Sequence, residues 1–160
     1  MSNSVKSKSW VPHFALAYTT TGGPPVIEHK VIASGQTIEK GMALTISSEE
    51  VSEAASTSGT LYGIALADGA ATETIPVAVG CHTNVFIGRV DADASSLTTP
   101  LECDIVEVSN DHRVDIGAST EDVLRVIGKV PGDDFDDTTY LPRVFFQILR
   151  SSYDGRVAAR

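Results

Sequence analysis

The chain has 160 residues, which is enough for one domain with its own core and hardly for two, and it contains no run approaching the roughly 20 apolar residues of a membrane span. Hydrophobic residues make up 42% of it but aromatic residues only 6%, and the many Val, Thr, Ser and Gly residues favour short strands and turns over helical bundles. The net charge of −9 argues against a nucleic-acid surface, because neutralising phosphates requires a basic face.

The charge is unevenly distributed, with basic ends and an acidic middle. Lys6 and Lys8 lie near the start, and Arg156 and Arg160 lie near the end. Basic ends suit an acidic partner, although charged ends are also simply well solvated. The predicted divisions are an N-terminal arm (1–25), a single β domain (26–150) and a C-terminal tail (151–160).

The predicted arm contains the most aromatic stretch of the chain, WVPHFALAY. Trp10, Phe14 and Tyr18 recur at intervals of four, the spacing of one helical face, but Pro12 and the TTTGGPP run that follows oppose a stable helix. These three side chains suit contact with a partner, since Trp and Tyr combine a large buried area with a polar group. The alternative is that they cover the open end of the protein's own barrel.

From Val26 onward the chain has the pattern of short strands separated by turns. In the segment 42–47, Met42, Leu44 and Ile46 alternate with smaller or polar residues, as in a half-buried strand. Turn signals every ten to fifteen residues are typical of a sandwich or barrel, and they predict an all-β fold. The predicted strands are 26–33, 42–47, 60–67, 74–80, 84–90, 103–108, 123–130 and 143–150.

Two short segments favour a helical turn instead. SSEEVSEAA (47–55) opens with a capping serine and early acidic residues, and STEDV (119–123) has the same pattern. GDDFDDTT (132–139) predicts an exposed acidic loop.

No catalytic motif stands out. The four histidines, His13, His29, His82 and His112, are scattered, and none lies in a nucleophile-elbow or HExxH context. Cys81 and His82 are adjacent, but neighbours on a strand point to opposite faces, so we predict a buried structural cysteine beside a surface histidine. No glycine-rich phosphate loop is present. The sequence therefore predicts a protein that is not an enzyme and carries no cofactor.

One segment has the spacing of a calcium loop. Asp91, Asp93, Ser95 and Glu102 occupy positions 1, 3, 5 and 12 of an EF-hand-type pattern. Position 6 is Ser96 where such a loop turns on glycine, and the flanking residues favour strands rather than helices. A solvated polar loop is the alternative.

Residues 31–90 carry a resemblance. A strand leads through a Gly-x-x-apolar-x-Lys-Gly turn into a second strand, and a Gly-Ile-Ala strand and an alternating Ile-x-Val-x-Val strand follow. The residues are Gly35, Ile38, Lys40, Gly41 and Leu44, then Gly63, Ile64 and Ala65, then Ile75, Val77, Val79 and Gly80. In this order the chain resembles small phage head-decoration (capsid cement) proteins over roughly its first 90 residues.

The resemblance implies a compact β-barrel or β-tulip-like domain that binds the major capsid protein on the outer surface of an icosahedral head and stabilises the expanded shell. It also implies a homotrimer, located on the virion after synthesis in the host cytoplasm. The expected partner-binding residues are Trp10, Phe14 and Tyr18, with Arg150, Tyr153, Arg156 and Arg160 as second choices. Two other functions stay open at this point: a receptor- or carbohydrate-binding β module on a virion, and a trimeric hydrolase.

Overall fold

A computed structural model describes residues 13–154, so Trp10, Arg156 and Arg160 lie outside the described part of the chain. Within that part the protein is all-β, with thirteen strands, and no helix there is long and apolar enough to cross a membrane. The strands are β1 Ala15–Thr19, β2 Ile27–Ile32, β3 Thr37–Ile38, β4 Ala43–Ser47, β5 Glu50–Glu53, β6 Gly63–Ala65, β7 Gly69–Ala70, β8 Thr74–Val79, β9 Asn84–Arg89, β10 Leu101–Val108, β11 Asp111–Asp115, β12 Leu124–Lys129 and β13 Arg143–Ile148. The predicted fold class is confirmed.

A closed barrel forms the first half of the domain. Its strands follow one another in the order β2, β5, β4, β6 and β8. Neighbouring strands are antiparallel except β2 and β5, which pair in parallel through Val31 with Glu50 and Ile32 with Val51. Apolar side chains fill the barrel, among them Ile32, Ile38, Leu44, Val51, Ile75, Val77 and Val79. Beside the barrel, β3 and β7 pair as a two-stranded sheet.

The second half is an antiparallel six-stranded sheet in the order β1, β9, β13, β12, β10 and β11. One face of this sheet packs against the outside of the barrel and forms a second core. Phe86, Leu124 and Phe146 come from the sheet, whereas Ile64 and Ala78 come from the barrel wall. The barrel therefore has one apolar layer inside it and another on its flank.

Strand β8 takes part in both layers. Val77 and Val79 point into the barrel, and Ala78 points to the six-stranded sheet. Because successive residues of a strand point to opposite faces, the nearly continuous apolar run at 74–80 is what a strand buried on both sides requires.

Each of the eight predicted strands is present, as β2, β4, β6, β8, β9, β10, β12 and β13, although the segment 60–67 is reduced to the three residues of β6. Five strands were not predicted, namely β1, β3, β5, β7 and β11.

The helical turn predicted over 47–55 is wrong. Ser48 and Glu49 have φ values of 51° and 65° and form a two-residue turn between β4 and β5. Positive φ at both central residues is the pattern of hairpin turns whose twist matches that of the strands. Val51 then faces the barrel core with no exposed surface, so its burial and the pairing of β5 with β4 override the capping signal.

The helical turn predicted over 119–123 is also wrong. The carboxylate of Asp104 accepts hydrogen bonds from the backbone N–H groups of Thr120, Glu121 and Asp122, at 2.8 to 3.1 Å. These amides are satisfied by a side chain of β10, and the segment is a loop that leads into β12.

The described parts of the predicted arm and tail are bound to the domain rather than separate from it. Residues 15–19 are strand β1, which pairs with β9. At the other end, Ser151 forms a parallel bridge with Leu61, and the Ser152 N–H donates to the Leu61 carbonyl at 3.0 Å. The side chain of Ser151 has no exposed surface.

Candidate functional site

Two buried histidines meet at the junction of the barrel and the six-stranded sheet. His13 precedes β1 and His112 lies on β11, and their side chains are 1% and 2% exposed. The ring centroids are 5.2 Å apart in an edge-to-face arrangement. Ser109 and Asn110 bring His112 into place, since both have positive φ and close the β10–β11 hairpin. His13 and His112, together with Glu39, Glu53 and Asp111, are called the histidine cluster.

Backbone N–H groups donate to side chains in succession through the histidine cluster. The N–H of His13 donates to the carboxylate of Asp111. The N–H of His112 donates to Nδ1 of His13 at 3.1 Å, and the N–H of Ala43 donates to Nδ1 of His112 at 3.1 Å. This succession joins the start of β1, the β10–β11 hairpin and the start of β4, which are far apart in sequence.

Gly41 makes this approach possible. It has a φ of +95°, and a Cβ there would overlap the backbone oxygen of Phe14 and lie 2.9 Å from Cβ of His13. The Phe14 N–H donates to the Gly41 carbonyl at 2.9 Å. The turn at Lys40 and Gly41 is therefore in direct contact with the residues at the start of β1.

The hydrogen bonds fix which ring nitrogen carries the proton in the neutral form of each histidine. A nitrogen that accepts from an N–H must present its lone pair, so Nδ1 is unprotonated in both rings. The remaining proton is on Nε2, from which His13 donates to Glu39 at 2.9 Å and His112 donates to Glu53 at 2.8 Å. In a catalytic His–Asp pair the carboxylate binds one ring nitrogen and the other nitrogen is free to take a proton. Neither histidine here has such a free nitrogen.

An open cavity of about 490 Å³ adjoins this cluster. Its wall includes Gln36, Glu53, Ile105, Glu107 and His112. Among residues 13–154, Glu53, Glu107 and His112 are the one group of three acidic or histidine side chains whose ligand atoms all lie within 4.8 Å of one another.

These three side chains do not fit a metal ion well. A metal binds an unprotonated ring nitrogen, but Nδ1 of His112 accepts from Ala43 and Nε2 carries the proton given to Glu53. Binding would require His112 to give up one of two hydrogen bonds in a side chain that is 2% exposed. The geometry instead assigns Glu53 to holding His112, and this role was not predicted from the sequence.

The residues with calcium-loop spacing are engaged separately. Asp91 accepts from the Ile116 N–H at 3.2 Å, and Asp93 accepts from the Ser95 N–H at 2.9 Å. Glu102 forms an ion pair of 2.6 Å with Arg125 on β12. Within the described residues these carboxylates form no three-ligand group of the kind found at Glu53.

A bulge in β1 separates the predicted partner-binding aromatics. Leu16 pairs with Phe86 and Tyr18 pairs with Val85, so the register shifts between Leu16 and Tyr18. The side chains of Leu16 and Tyr18 therefore lie on opposite faces of the sheet. Phe14 is 2% exposed and its ring packs 4.9 Å from that of Phe146. The prediction that Phe14 binds a partner is wrong, because it is a core residue.

Tyr18 is 46% exposed and lies on the outer face, with its ring 5.4 Å from that of Phe145. Near the other end of the chain, Tyr153 is half-buried and its ring is 6.2 Å from that of Tyr62 in the barrel. Arg150 is half-buried, and its backbone carbonyl accepts from the Leu61 N–H at 3.0 Å. Of the predicted partner-binding residues, Trp10, Arg156 and Arg160 lie outside the described residues.

Both cysteines are buried free thiols. Cys81 is 6% exposed beside the exposed His82, as predicted, although the two lie after the end of β8 rather than within a strand. Burial raises the pKa of the Cys103 thiol to about 12, and the nearby carboxylates add to this effect. Cys103 is therefore held as an unreactive thiol inside the second core.

Comparisons of the chain with protein-family models, with curated proteins and with solved structures gave no match.

Proposed function

We propose that this protein is a structural component of a phage particle that binds the outer surface of the icosahedral head and stabilises the expanded shell. The observation that carries the proposal concerns residues 31–90, the segment that resembles head-decoration proteins. This segment holds the barrel strands β4, β5, β6 and β8 together with the end of β2. The segment also contains β3, β7 and β9, and β9 belongs to the six-stranded sheet, so the resemblance covers most of the barrel and one strand of that sheet.

The histidine cluster supports a role without chemistry. Both nitrogens of each ring are engaged: Glu39 and Glu53 accept from the two Nε2 atoms, and Asp111 accepts from the backbone N–H of His13. A cluster of this kind holds three segments of backbone together, which is what a rigid bracing protein needs. We propose accordingly that the protein is not an enzyme.

The proposed partner is the major capsid protein, and the proposed contact surface is the basic C-terminal end. Arg150 and Tyr153 lie at the end of the described chain, and the sequence continues to Arg156 and Arg160. Arginine and tyrosine dominate many protein interfaces because they join a large contact area to polar groups. Many modest contacts per shell act together through multivalency. A location on the virion follows from this partner.

The test is to add the purified full chain to expanded heads that lack it and to determine the particle structure by cryo-electron microscopy. Added density at regular lattice positions is the expected result. The double variant Arg156→Ala, Arg160→Ala should keep the melting temperature and bind heads at least tenfold more weakly. Arg125→Ala, which removes an exposed arginine on the six-stranded sheet, is the matched control and should bind normally. Unchanged heads after saturation with wild-type protein would refute the proposed function.

A further inference from the structure

One edge of the six-stranded sheet differs from the rest of the molecular surface. Residues 14–27 contain no Asp, Glu, Lys, Arg or His, although 21% of the chain is Asp, Glu, Lys or Arg. This stretch includes all of β1, which is an edge strand with three of its five residues exposed. Edge strands present unpaired backbone groups to solvent, and proteins commonly protect them with charged side chains.

The opposite edge of the same sheet has that protection. Strand β11 carries Asp111, Arg113 and Asp115 within five residues. Its Val114 also forms a parallel bridge with Val90, which covers part of the edge. The lack of charge at β1 is therefore specific to that edge and is not a general property of the sheet.

The largest exposed apolar side chains all belong to β1 and β2, the first two described strands of the chain. Among residues 13–154 the large hydrophobic residues with the greatest exposure are Tyr18 on β1 and Ile27 and Val31 on β2, at 46%, 41% and 36%. A concavity of about 300 Å³ lies between β1 and the loop that leads to β2, and Leu16, Tyr18 and Pro25 line it. Exposed apolar surface beside an open strand edge marks an interaction site.

We propose that a second copy of this chain binds here, with β1 of each copy pairing antiparallel across a two-fold axis. The distribution of charge favours a second copy of the chain as the partner at this edge. In a two-fold contact residue i faces residue j of the partner and j faces i, so a charge at the axis faces its own equivalent. Two molecules of net charge −9 repel over most of their surfaces, but the stretch 14–27 can approach itself without that penalty. Pairing joins the two six-stranded sheets into one and removes the exposed edge from each.

This contact stands independently of the proposed function, and it is a different interface from the three-fold assembly that the resemblance implies. The test is sedimentation equilibrium of the full chain over a range of concentrations. A reversible dimer is expected for the wild type. Ala17 is the middle residue of β1, so in a pair centred on the strand Ala17→Lys brings two lysines together across the axis, and the dimerisation constant should weaken at least tenfold. The melting temperature should be unchanged at concentrations where both proteins are monomeric. Ala15→Lys, also at an exposed position of β1, should act in the same direction.

Ala55→Lys is the matched control, because it makes the same substitution at an exposed alanine in the loop after β5. Its dimer should match the wild type. A wild-type protein that is monomeric at every concentration would overturn the inference. So would a dimer or a trimer whose association is the same in the wild type, Ala17→Lys and Ala15→Lys. Head binding by Ala17→Lys is measured in parallel. Loss of the dimer with head binding retained supports the separate self-contact, whereas a dimer that forms without any head binding refutes only the proposed function.

Discussion

Gly41 lies where the turn before β4 passes against the first residues of the described chain. Its φ of +95° and the adjacent Phe14 carbonyl are both incompatible with a side chain. Gly41→Ala should therefore destabilise the protein by about 3 kcal/mol or more, the sum of a left-handed backbone at a residue with a Cβ and a steric overlap in a packed region. Urea unfolding followed by circular dichroism measures this loss.

Gly35→Ala separates the two causes. Gly35 has a φ of +79°, and a Cβ added there would have nothing within 4 Å, so alanine adds only the backbone strain, about 1 to 2 kcal/mol. Equal losses for the two variants would contradict a packing role for Gly41.

Asp115 gives a prediction that depends on pH. Burial first, and then the neighbouring Asp91, raises the pKa of the Asp115 carboxyl. The folded state therefore holds this proton more tightly than the unfolded state, so the stabilisation is complete below the unfolded pKa of about 3.8 and is lost as the pH rises through the folded value. Asp115→Asn keeps an oxygen that can accept from the Gly117 N–H.

The variant should consequently be more stable than the wild type at pH 7, and its advantage should shrink as the pH is lowered towards 4. Thermal unfolding at a series of pH values measures the difference. A lower melting temperature for Asp115→Asn at pH 7 would show that the ionised carboxylate is favourable there.

The environment of an individual residue could be predicted from the sequence only where neighbouring residues determine it. The burial of Cys81 and the turn at Gly41 follow from neighbouring residues. Nothing local pairs His13 with His112, because the contact spans 99 residues and follows from the way the barrel and sheet meet. The bulge that turns Tyr18 outward while Phe14 stays in the core is likewise set by the pairing with β9.

Among the elements, the predicted acidic loop at 132–139 is bound to β13 by one arginine. Oδ2 of Asp133 accepts from both the backbone N–H and Nε of Arg143 at 2.9 Å, and Oδ1 accepts from a terminal guanidinium nitrogen at 2.8 Å. Arg143→Lys keeps the charge but loses the two-point geometry. We expect faster amide hydrogen exchange across residues 131–142 and a loss of stability of about 1 kcal/mol.

Arg125→Lys is the control, since Arg125 makes one exposed ion pair with Glu102 on the same sheet. It should change neither exchange nor stability measurably. Loop exchange equal to that of the wild type in Arg143→Lys would contradict the anchoring role.

The strands that the sequence did not predict depend on their partners. Strand β11 is Asp-His-Arg-Val-Asp, and β5 is Glu-Val-Ser-Glu, so neither has the apolar content of a strand by itself. Each is the second strand of a hairpin with a two-residue turn, at Ser109–Asn110 and Ser48–Glu49. Such turns are usually recognised by Asn-Gly or Asp-Gly, and neither pair has that glycine. The predicted strands are richer in apolar residues, either at alternate positions as in 42–47 or in a nearly continuous run as in 74–80.

For the whole molecule, the shared core couples the barrel to the six-stranded sheet. Ile64 on β6 has no exposed surface and packs in the layer between them. Ile64→Ala should lower the free energy of unfolding by about 2 to 5 kcal/mol while leaving a single unfolding transition. Ile32→Ala, equally buried but inside the barrel, is the comparison.

Hydrogen exchange of both halves measures the coupling. Both variants should accelerate exchange in barrel and sheet peptides alike. If Ile32→Ala affects the barrel peptides alone, or if two transitions appear, the halves are separate folding units.

The parallel pairing of β2 with β5 has a consequence for how the barrel comes apart. Every other join in the ring is antiparallel, whereas this one is parallel and consists of two residue pairs, Val31 with Glu50 and Ile32 with Val51, as few as the β4–β6 join. Breaking it leaves β5, β4, β6, β8 and β2 connected as a flat row in which each remaining ladder is intact. Because parallel pairing is slightly less stable per residue than antiparallel pairing, we expect the ring to open at this join, which would expose Ile32 and Val51 to water.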